Sequence, residues 1–292
     1  MPDGVAVIRW DWGARPLHTG YVVRVGMFAI GMLLVVGLGG SASVTATHTP
    51  GCAPGTATGS IDGRRYLVYV PATARIPAPT VVGFHGRLQT SRSQLTGTGL
   101  QELADREGFI VVAPQALGGK WDFRGSDTRF TTDILDNLTC DDPTRTYASG
   151  MSMGSAMAFL QACAQPRRFA AFGGVGFEVF LPRCQDEDPA AIIAFHGTAD
   201  QVVPFTGGLT ASSATTPPAE TAMREWAGRD GCRQYVRSVV APAVTLQKWE
   251  ECSAGTTVEF YRIRGGKHVW PRHGAVDASS LMWEFFSKYR LE

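Results

Sequence analysis

Residues 149–155 read Ser149-Gly150-Met151-Ser152-Met153-Gly154-Ser155, a Gly-x-Ser-x-Gly arrangement. In a nucleophile elbow the serine sits on a sharp strand-to-helix turn whose strained backbone pushes Oγ out of the sheet. Small residues two before and two after the serine are needed because that turn brings strand and helix backbones together. A bare five-residue pattern recurs by chance, so its context decides. Before it stands the β-prone run Thr146-Tyr147-Ala148, and after it Ala156-Met157-Ala158-Phe159-Leu160-Gln161-Ala162 favours helix. That strand, turn and helix make Ser152 a candidate nucleophile.

A nucleophilic serine needs a base to take its proton and an acid to orient the base. On this type of elbow they follow in the order Ser, Asp or Glu, His. Three histidines lie beyond Ser152: His196, His268 and His273. His196 is the poorer base, because an acid must still fit between Ser152 and the histidine; it is expected to pack or hydrogen-bond beside the site. Asp200, in Phe195-His196-Gly197-Thr198-Ala199-Asp200, lies just past an apolar run, where it serves as the acid or merely as a turn former. His268, in Gly265-Gly266-Lys267-His268-Val269-Trp270-Pro271, is favoured over His273 because two glycines let its loop swing the imidazole toward the serine.

Two backbone N–H groups must face the developing oxyanion. One is expected from Met153, next to the nucleophile, and the other from Phe84-His85-Gly86-Arg87, with Arg87 the preferred donor. His85 either contacts substrate or packs beneath this loop. Trp121 and Trp270 stand near the same loops, where they could stack on a sugar or phenolic ring or simply be buried.

The segments that must carry these residues alternate. Arg64–Val70 reads as an edge strand, 80–84, 110–113, 170–175 and 191–195 as buried strands, and Val258–Ile263 as the last strand. Helices are expected over 93–107, 127–137, the elbow helix, 219–227 and 279–289, with 201–217 a surface loop or small cap. This is the pattern of an α/β protein with a mainly parallel sheet.

Hydrophobic content of 44%, charged content of 18% and a net charge of +1 describe an ordinary globular chain without the clustered basic residues that nucleic-acid binding requires. Residues 25–40 are the long apolar stretch; Arg24 precedes it and Val44-Thr45-Ala46 offers a signal-peptidase site after Ala46. About 16 apolar residues fall short of the roughly 20 that span a bilayer, so export is favoured over a retained anchor and no stable membrane partner is expected. A lipid anchor on Cys52 is weaker still. Residues 1–21 are atypical of a signal, and fit initiation near Val22 or Met27. The expected organisation is an N-terminal extension with signal over 1–46, an extended leader over 47–60 and one domain over 61–292. Six cysteines suggest three disulfides in an oxidising compartment, and without C-x-x-C spacing they do not read as a metal site. Asn137-Leu138-Thr139 is a formal glycosylation sequon.

Five motifs in order match one family: Phe84-His85-Gly86-Arg87, Tyr147-Ala148-x-Gly150-x-Ser152-x-Gly154, Phe195-His196-Gly197-Thr198-Ala199-Asp200, Trp226-Ala227-x-Arg229-x-Gly231-Cys232 and His268-x-Trp270-Pro271. Over roughly residues 52–290 the chain resembles the secreted polyhydroxybutyrate depolymerase and feruloyl esterase family. The resemblance implies an α/β-hydrolase fold and carboxylic-ester hydrolysis without a cofactor. It makes Ser152 the nucleophile, Asp200 the acid and His268 the base, and it pairs Cys232 with Cys252; the other four cysteines are left unassigned. Met153, Ser155 and the Arg87-Leu88-Gln89 run depart from the usual family residues, which leaves the acyl pocket in question. The Phe-His-Gly-Arg form leans toward feruloyl esters of plant polysaccharide. Polyester depolymerase, acetyl esterase and, further off, acyl transfer to a sugar are the enzyme alternatives; a non-catalytic cell-surface binding protein is the alternative of another class. The oligomeric state is open.

Overall fold

The computed structural model describes residues 47–179, 184, 188–272, 274 and 276–292. The apolar stretch 25–40, the cleavage position at Ala46 and His273 lie outside the described residues.

In chain order the strands are β1 (Gly55–Ile61), β2 (Arg64–Val70), β3 (Ala78–Phe84), β4 (Ile110–Pro114), β5 (Asp141–Met151), β6 (Ala171–Val175), β7 (Ile192–Gly197), β8 (Gly208–Leu209), β9 (Thr215–Thr216), β10 (Gln234–Ala241), β11 (Val244–Glu250) and β12 (Val258–Ile263). The helices are α1 (Ser91–Gly97), α2 (Leu100–Glu107), α3 (Ser126–Asn137), α4 (Met153–Ala164), α5 (Ala219–Arg229) and α6 (Ala278–Phe286). Ten strands form one sheet in the order β1-β2-β4-β3-β5-β6-β7-β12-β11-β10, while β8 and β9 form a separate short ladder. The middle of the sheet, from β4 to β12, is parallel, and antiparallel strands extend it at both ends. This is the α/β-hydrolase architecture.

Successive strand residues point to opposite faces, and the core follows that period. Val81, Val111, Tyr147 and Ile193 pack with Leu95, Leu103, Phe285 and Phe286 from α1, α2 and α6. Their neighbours Val82, Val112, Ala148 and Ile192 pack on the other face with Ile134, Met157, Phe159 and Trp226 from α3, α4 and α5. Strands covered on both faces therefore read as unbroken apolar runs.

The structure corrects the reading of the sheet's edges. β2 is not an edge strand, because β1 pairs along its whole length, Gly55 opposite Val70 to Ile61 opposite Arg64. β1 thus falls mostly inside the segment expected as a leader, and His48 bridges to Ser60 as well. The hairpin of β10 and β11 is new; β10 is exposed at nearly every residue and carries no alternation to detect. The helix expected over 93–107 is two helices, broken at Gly99, whose φ of 79° interrupts the ladder.

Disulfides join Cys52 to Cys140, Cys163 to Cys184 and Cys232 to Cys252, so the pair implied by the resemblance forms and the other four cysteines are assigned. The first closes a separation of 88 residues and the third one of 20. Loop entropy alone makes the longer closure worth about 4–5 kcal/mol and the shorter about 3 kcal/mol. Urea unfolding of the paired Cys52→Ser, Cys140→Ser variant should therefore show the larger loss of stability than Cys232→Ser, Cys252→Ser; equal losses would refute that ordering.

Candidate active site

Ser152 stands between β5 and α4 with φ 55° and ψ −122°, a backbone conformation that costs a non-glycine residue on the order of 1–3 kcal/mol. The surrounding contacts impose it. A Cβ on Gly150 would fall 2.2 Å from Gly154 O, and one on Gly154 would fall 2.0 Å from Phe84 O. Glycine at both positions lets α4 press against the ends of β5 and β3. Ser152 N–H donates to Val175 O (2.8 Å), which ties the elbow to β6.

Asp200 lies in the loop after β7 and His268 in the loop after β12. Those loops are stitched together: Ala199 N–H donates to Gly266 O (2.9 Å), and Gly265 N–H to Thr198 Oγ1 (2.9 Å). The result is a hydrogen bond of 2.6 Å from His268 Nδ1 to Asp200 Oδ2. Asp200 Oδ1 accepts from the N–H groups of Val202 (2.8 Å) and Val203 (2.9 Å). Burial opposes ionisation of Asp200, but hydrogen bonds from His196, His268 and Val203 outweigh it and hold the carboxyl well below the usual range. The imidazole of His268 borders Gly176, the residue after β6: a Cβ there would lie 3.2 Å from Nδ1. Gly176 in turn follows Val175, which accepts the Ser152 N–H. Ser152, Asp200 and His268 thus follow the carboxyl ends of β5, β7 and β12, where sites of open α/β sheets form.

The loop after β3 carries the expected oxyanion donor. In its turn Gly86 N–H donates to Gln89 Oε1 (2.9 Å), Leu88 N–H to Gly119 O (2.7 Å) and Gln89 N–H to Gly86 O (3.0 Å). Arg87 N–H is the amide of that turn without an acceptor among the described residues. Met153 opens α4, and first-turn amides of a helix have no partner within it.

For His85 and Trp121, named as candidate substrate contacts with burial as the alternative, the structure gives burial. His85 is fully buried; its Nδ1 donates to Gly86 O (2.8 Å) and its Nε2 accepts from Ala116 N–H (3.1 Å). Burial lowers its pKa, consistent with the neutral ring this pattern needs. Trp121 is 3% exposed and donates through Nε1 to His85 O (2.7 Å). They brace the loop after β3 from below. Trp270 is half-buried, packs on the α1, α2 and α6 side of the core and donates to Ser279 Oγ (3.0 Å), which fixes the start of α6. Ser155, marked as a departure near the acyl pocket, is fully buried and donates to Phe177 O (3.0 Å).

Sequence reasoning missed Glu178. This residue follows β6 and places Oε2 2.5 Å from His196 Nδ1, with both side chains buried. No motif marks it. Burial alone would lower the pKa of His196, but the charge of Glu178 and hydrogen bonds to Asp200 and Glu178 push it up to about 10. Among the described residues no cluster of His, Cys, Asp and Glu could hold a metal ion, and no helix is long and apolar enough to cross a membrane.

The fold is that of the α/β-hydrolases, and solved structures agree on it. An acetyl xylan esterase from Aspergillus awamori superposes with a TM-score of 0.60 at 18% identity, covering 77% of this chain and 94% of that one. Est1E from Butyrivibrio proteoclasticus gives a TM-score of 0.53 at 13% identity, covering 80% and 99%. No protein-family model matches the chain. Curated relatives are more specific. Feruloyl esterase B from Piromyces equi is 27% identical over 251 residues, 78% of this chain and 46% of the relative. A bifunctional acetylxylan esterase/xylanase from Neocallimastix patriciarum is 25% identical, over 79% of this chain and 34% of the relative. A probable feruloyl esterase C from Aspergillus niger is 27% identical over 263 residues, 84% of this chain and 93% of the relative. The chain spans less than half the length of the first two and nearly all of the third. It is thus similar to feruloyl and acetylxylan esterases over most of its length, as the motifs implied.

The folded-state pKa of His196 lies above the ordinary 6.5. Its contribution to stability is therefore complete below about pH 6.5 and is lost as pH rises toward 10. Unfolding free energies measured by urea between pH 6 and pH 10 should fall more steeply for the wild type than for His196→Asn; parallel curves would contradict this origin.

Proposed function

We propose that the chain is a secreted serine carboxylic-ester hydrolase acting through an acyl-enzyme. The observation that carries this reading is the Asp200–His268 hydrogen bond of 2.6 Å beside an elbow that holds Ser152 in a strained turn. Ser152 Oγ attacks the ester carbonyl as its proton passes to His268 Nε2. The oxyanion forms against the N–H groups of Met153 and Arg87. His268 then protonates the departing alcohol, and water, activated by the same imidazole, releases the acid. Asp200 fixes the His268 tautomer throughout.

Feruloyl esters of plant polysaccharide are the favoured substrates. The names of the curated relatives support this, as does the rim: Leu88, Leu117 and Val269 are 66%, 64% and 59% exposed. Leu88 follows the Arg87 amide, Val269 follows His268, and Leu88 N–H bonds to Gly119 in the turn that holds Leu117. Apolar side chains so placed suit the ring of an aromatic acyl group. Acetyl esters are the second reading, favoured by the acetylxylan esterase name of one relative. Export through residues 25–46 fits three disulfides, which form in oxidising compartments.

Ser152→Ala should lower p-nitrophenyl acetate hydrolysis by more than about 10,000-fold and abolish fluorophosphonate labelling. Undiminished activity, or a wild-type protein that the probe does not label, would overturn the assignment. Methyl ferulate should be cleaved with higher kcat/KM than acetylated xylan or polyhydroxybutyrate; the reverse order would transfer the proposal to the preferred ester.

A further inference from the structure

Behind Asp200 lies a second buried pair. The side chains of Glu178, His196 and Asp200 are each about 1% exposed or less. His196 Nδ1 faces Glu178 Oε2 at 2.5 Å; its Nε2 faces Val203 O at 3.0 Å and Asp200 Oδ2 at 3.4 Å. We propose that Glu178 and His196 form a positioning pair that fixes the Asp200 carboxylate from the side opposite His268. The proposal rests on the triad of Ser152, His268 and Asp200.

The partners of His196 dictate its hydrogens. A carbonyl oxygen never donates, and Asp200 already accepts from three N–H groups, so Nε2 must carry a proton. Nδ1 faces the Glu178 carboxyl, and one proton is shared between them. Whichever atom holds it, the pair is neutral overall and directs Nε2–H at the Asp200 turn. That hydrogen does two things. It holds Val203 O, and hence the turn whose N–H groups grip Asp200 Oδ1; it also approaches Asp200 Oδ2, the oxygen that His268 uses. Rotation of the carboxylate is opposed at both oxygens.

Glu178 is itself fixed from the elbow side. The loop that carries it is bound by Gly176 N–H to Phe195 O (2.9 Å), by Ser155 Oγ to Phe177 O (3.0 Å) and by Trp226 Nε1 to Val179 O (2.8 Å). Ser155 lies on the first turn of α4, three residues from Ser152, so the helix that presents the nucleophile also sets the loop that positions the acid. This gives the buried Ser155 hydroxyl a function other than lining the acyl pocket. Among the described residues, charged groups on the neighbouring elements include Arg262, paired with His196 in the β12–β7 register and lying over the Phe205 ring, and Lys267, exposed beside His268. A buried ion pair can also exist for fold specificity alone, and the test separates the two roles.

Asparagine at 196 can still meet Glu178 from the Nδ1 position but cannot reach Asp200, whereas glutamine extends a donor toward the Nε2 position. His196→Asn should lower kcat for p-nitrophenyl acetate by about 10- to 100-fold per fluorophosphonate-titrated site, the scale of a misplaced catalytic group, with KM changed less than about twofold. The acid limb of its kcat/KM profile should move to higher pH, because loss of the donor makes the Asp200–His268 dyad more basic. His196→Gln should recover at least about a third of the lost kcat on a logarithmic scale. Glu178→Gln, which keeps Nε2–H on a neutral imidazole and so makes it a weaker donor, should shift the acid limb in the same direction with a smaller fall in kcat. If His196→Asn does not accumulate as folded protein, the acid limb of Glu178→Gln carries the test. A folded His196→Asn enzyme with lowered melting temperature but wild-type kcat and acid limb would overturn the proposal, as would glutamine performing no better than asparagine. Activity retained by Ser152→Ala would instead defeat the triad itself, so the two failures are distinguishable.

Discussion

The structure depends on a contact between backbones. Gly154 at the start of α4 lies so close to Phe84 at the end of β3 that no side chain fits between them, and Gly150 is pressed equally against Gly154. This contact forces Ser152 into its strained turn and delivers the end of β3, with Gly86 and Arg87, to the face of the elbow. The strain is of the order of 1–3 kcal/mol. What offsets it is the burial of α4: Ala156, Met157, Phe159 and Leu160 are nearly inaccessible on one side of the sheet. A helix with an exposed face could slide or fray to relieve the turn. One packed along most of its length cannot, so Ser152 and the loop after β3 are fixed by the same packing.

Much of this was legible in the sequence because the decisive strands are covered on both faces. β4 and β6 are continuous apolar runs for that reason, and β3 and β7 nearly so. The order of Ser152, Asp200 and His268 follows from the order of the loops at one edge of the sheet, and chain order is visible without coordinates. The edges were not legible. Gly55–Ile61 contains a single large apolar residue, and Tyr235, Val236, Val239 and Val240 of β10 are all exposed, so neither strand shows a buried face. Both are set by the neighbour that pairs with them. The break between α1 and α2 was hidden because helical residues flank Gly99 on both sides.

Within the site, residue type and chain position located the loops correctly but did not reveal which atoms meet water. His85 and Trp121 occur where a substrate surface is expected, yet each is bound from inside the loop, one through Ala116 and the other through His85 O. These aromatic groups hold the loop after β3 from within. The apolar surface that is exposed there comes from Leu88 and Leu117, which no motif identifies. Glu178 illustrates the same limit from the opposite side. A glutamate after a buried strand is an ordinary residue until folding places it against an imidazole.

The charges of the buried cluster give its arrangement a direction. Asp200 is ionised and the Glu178–His196 pair is neutral as a unit, so these three side chains carry one net negative charge. In the proposed mechanism, the proton passing from Ser152 to His268 sets a positive charge beside that negative one. A buried negative charge already in place favours the imidazolium at the moment it forms. The same excess would destabilise the resting fold if Asp200 were poorly bound. Its two oxygens instead face four N–H groups, from Val202, Val203, His268 and His196, the last at the longer separation of 3.4 Å. The second histidine thus completes the solvation that burial removed, and it does so without adding net charge, because Glu178 comes with it.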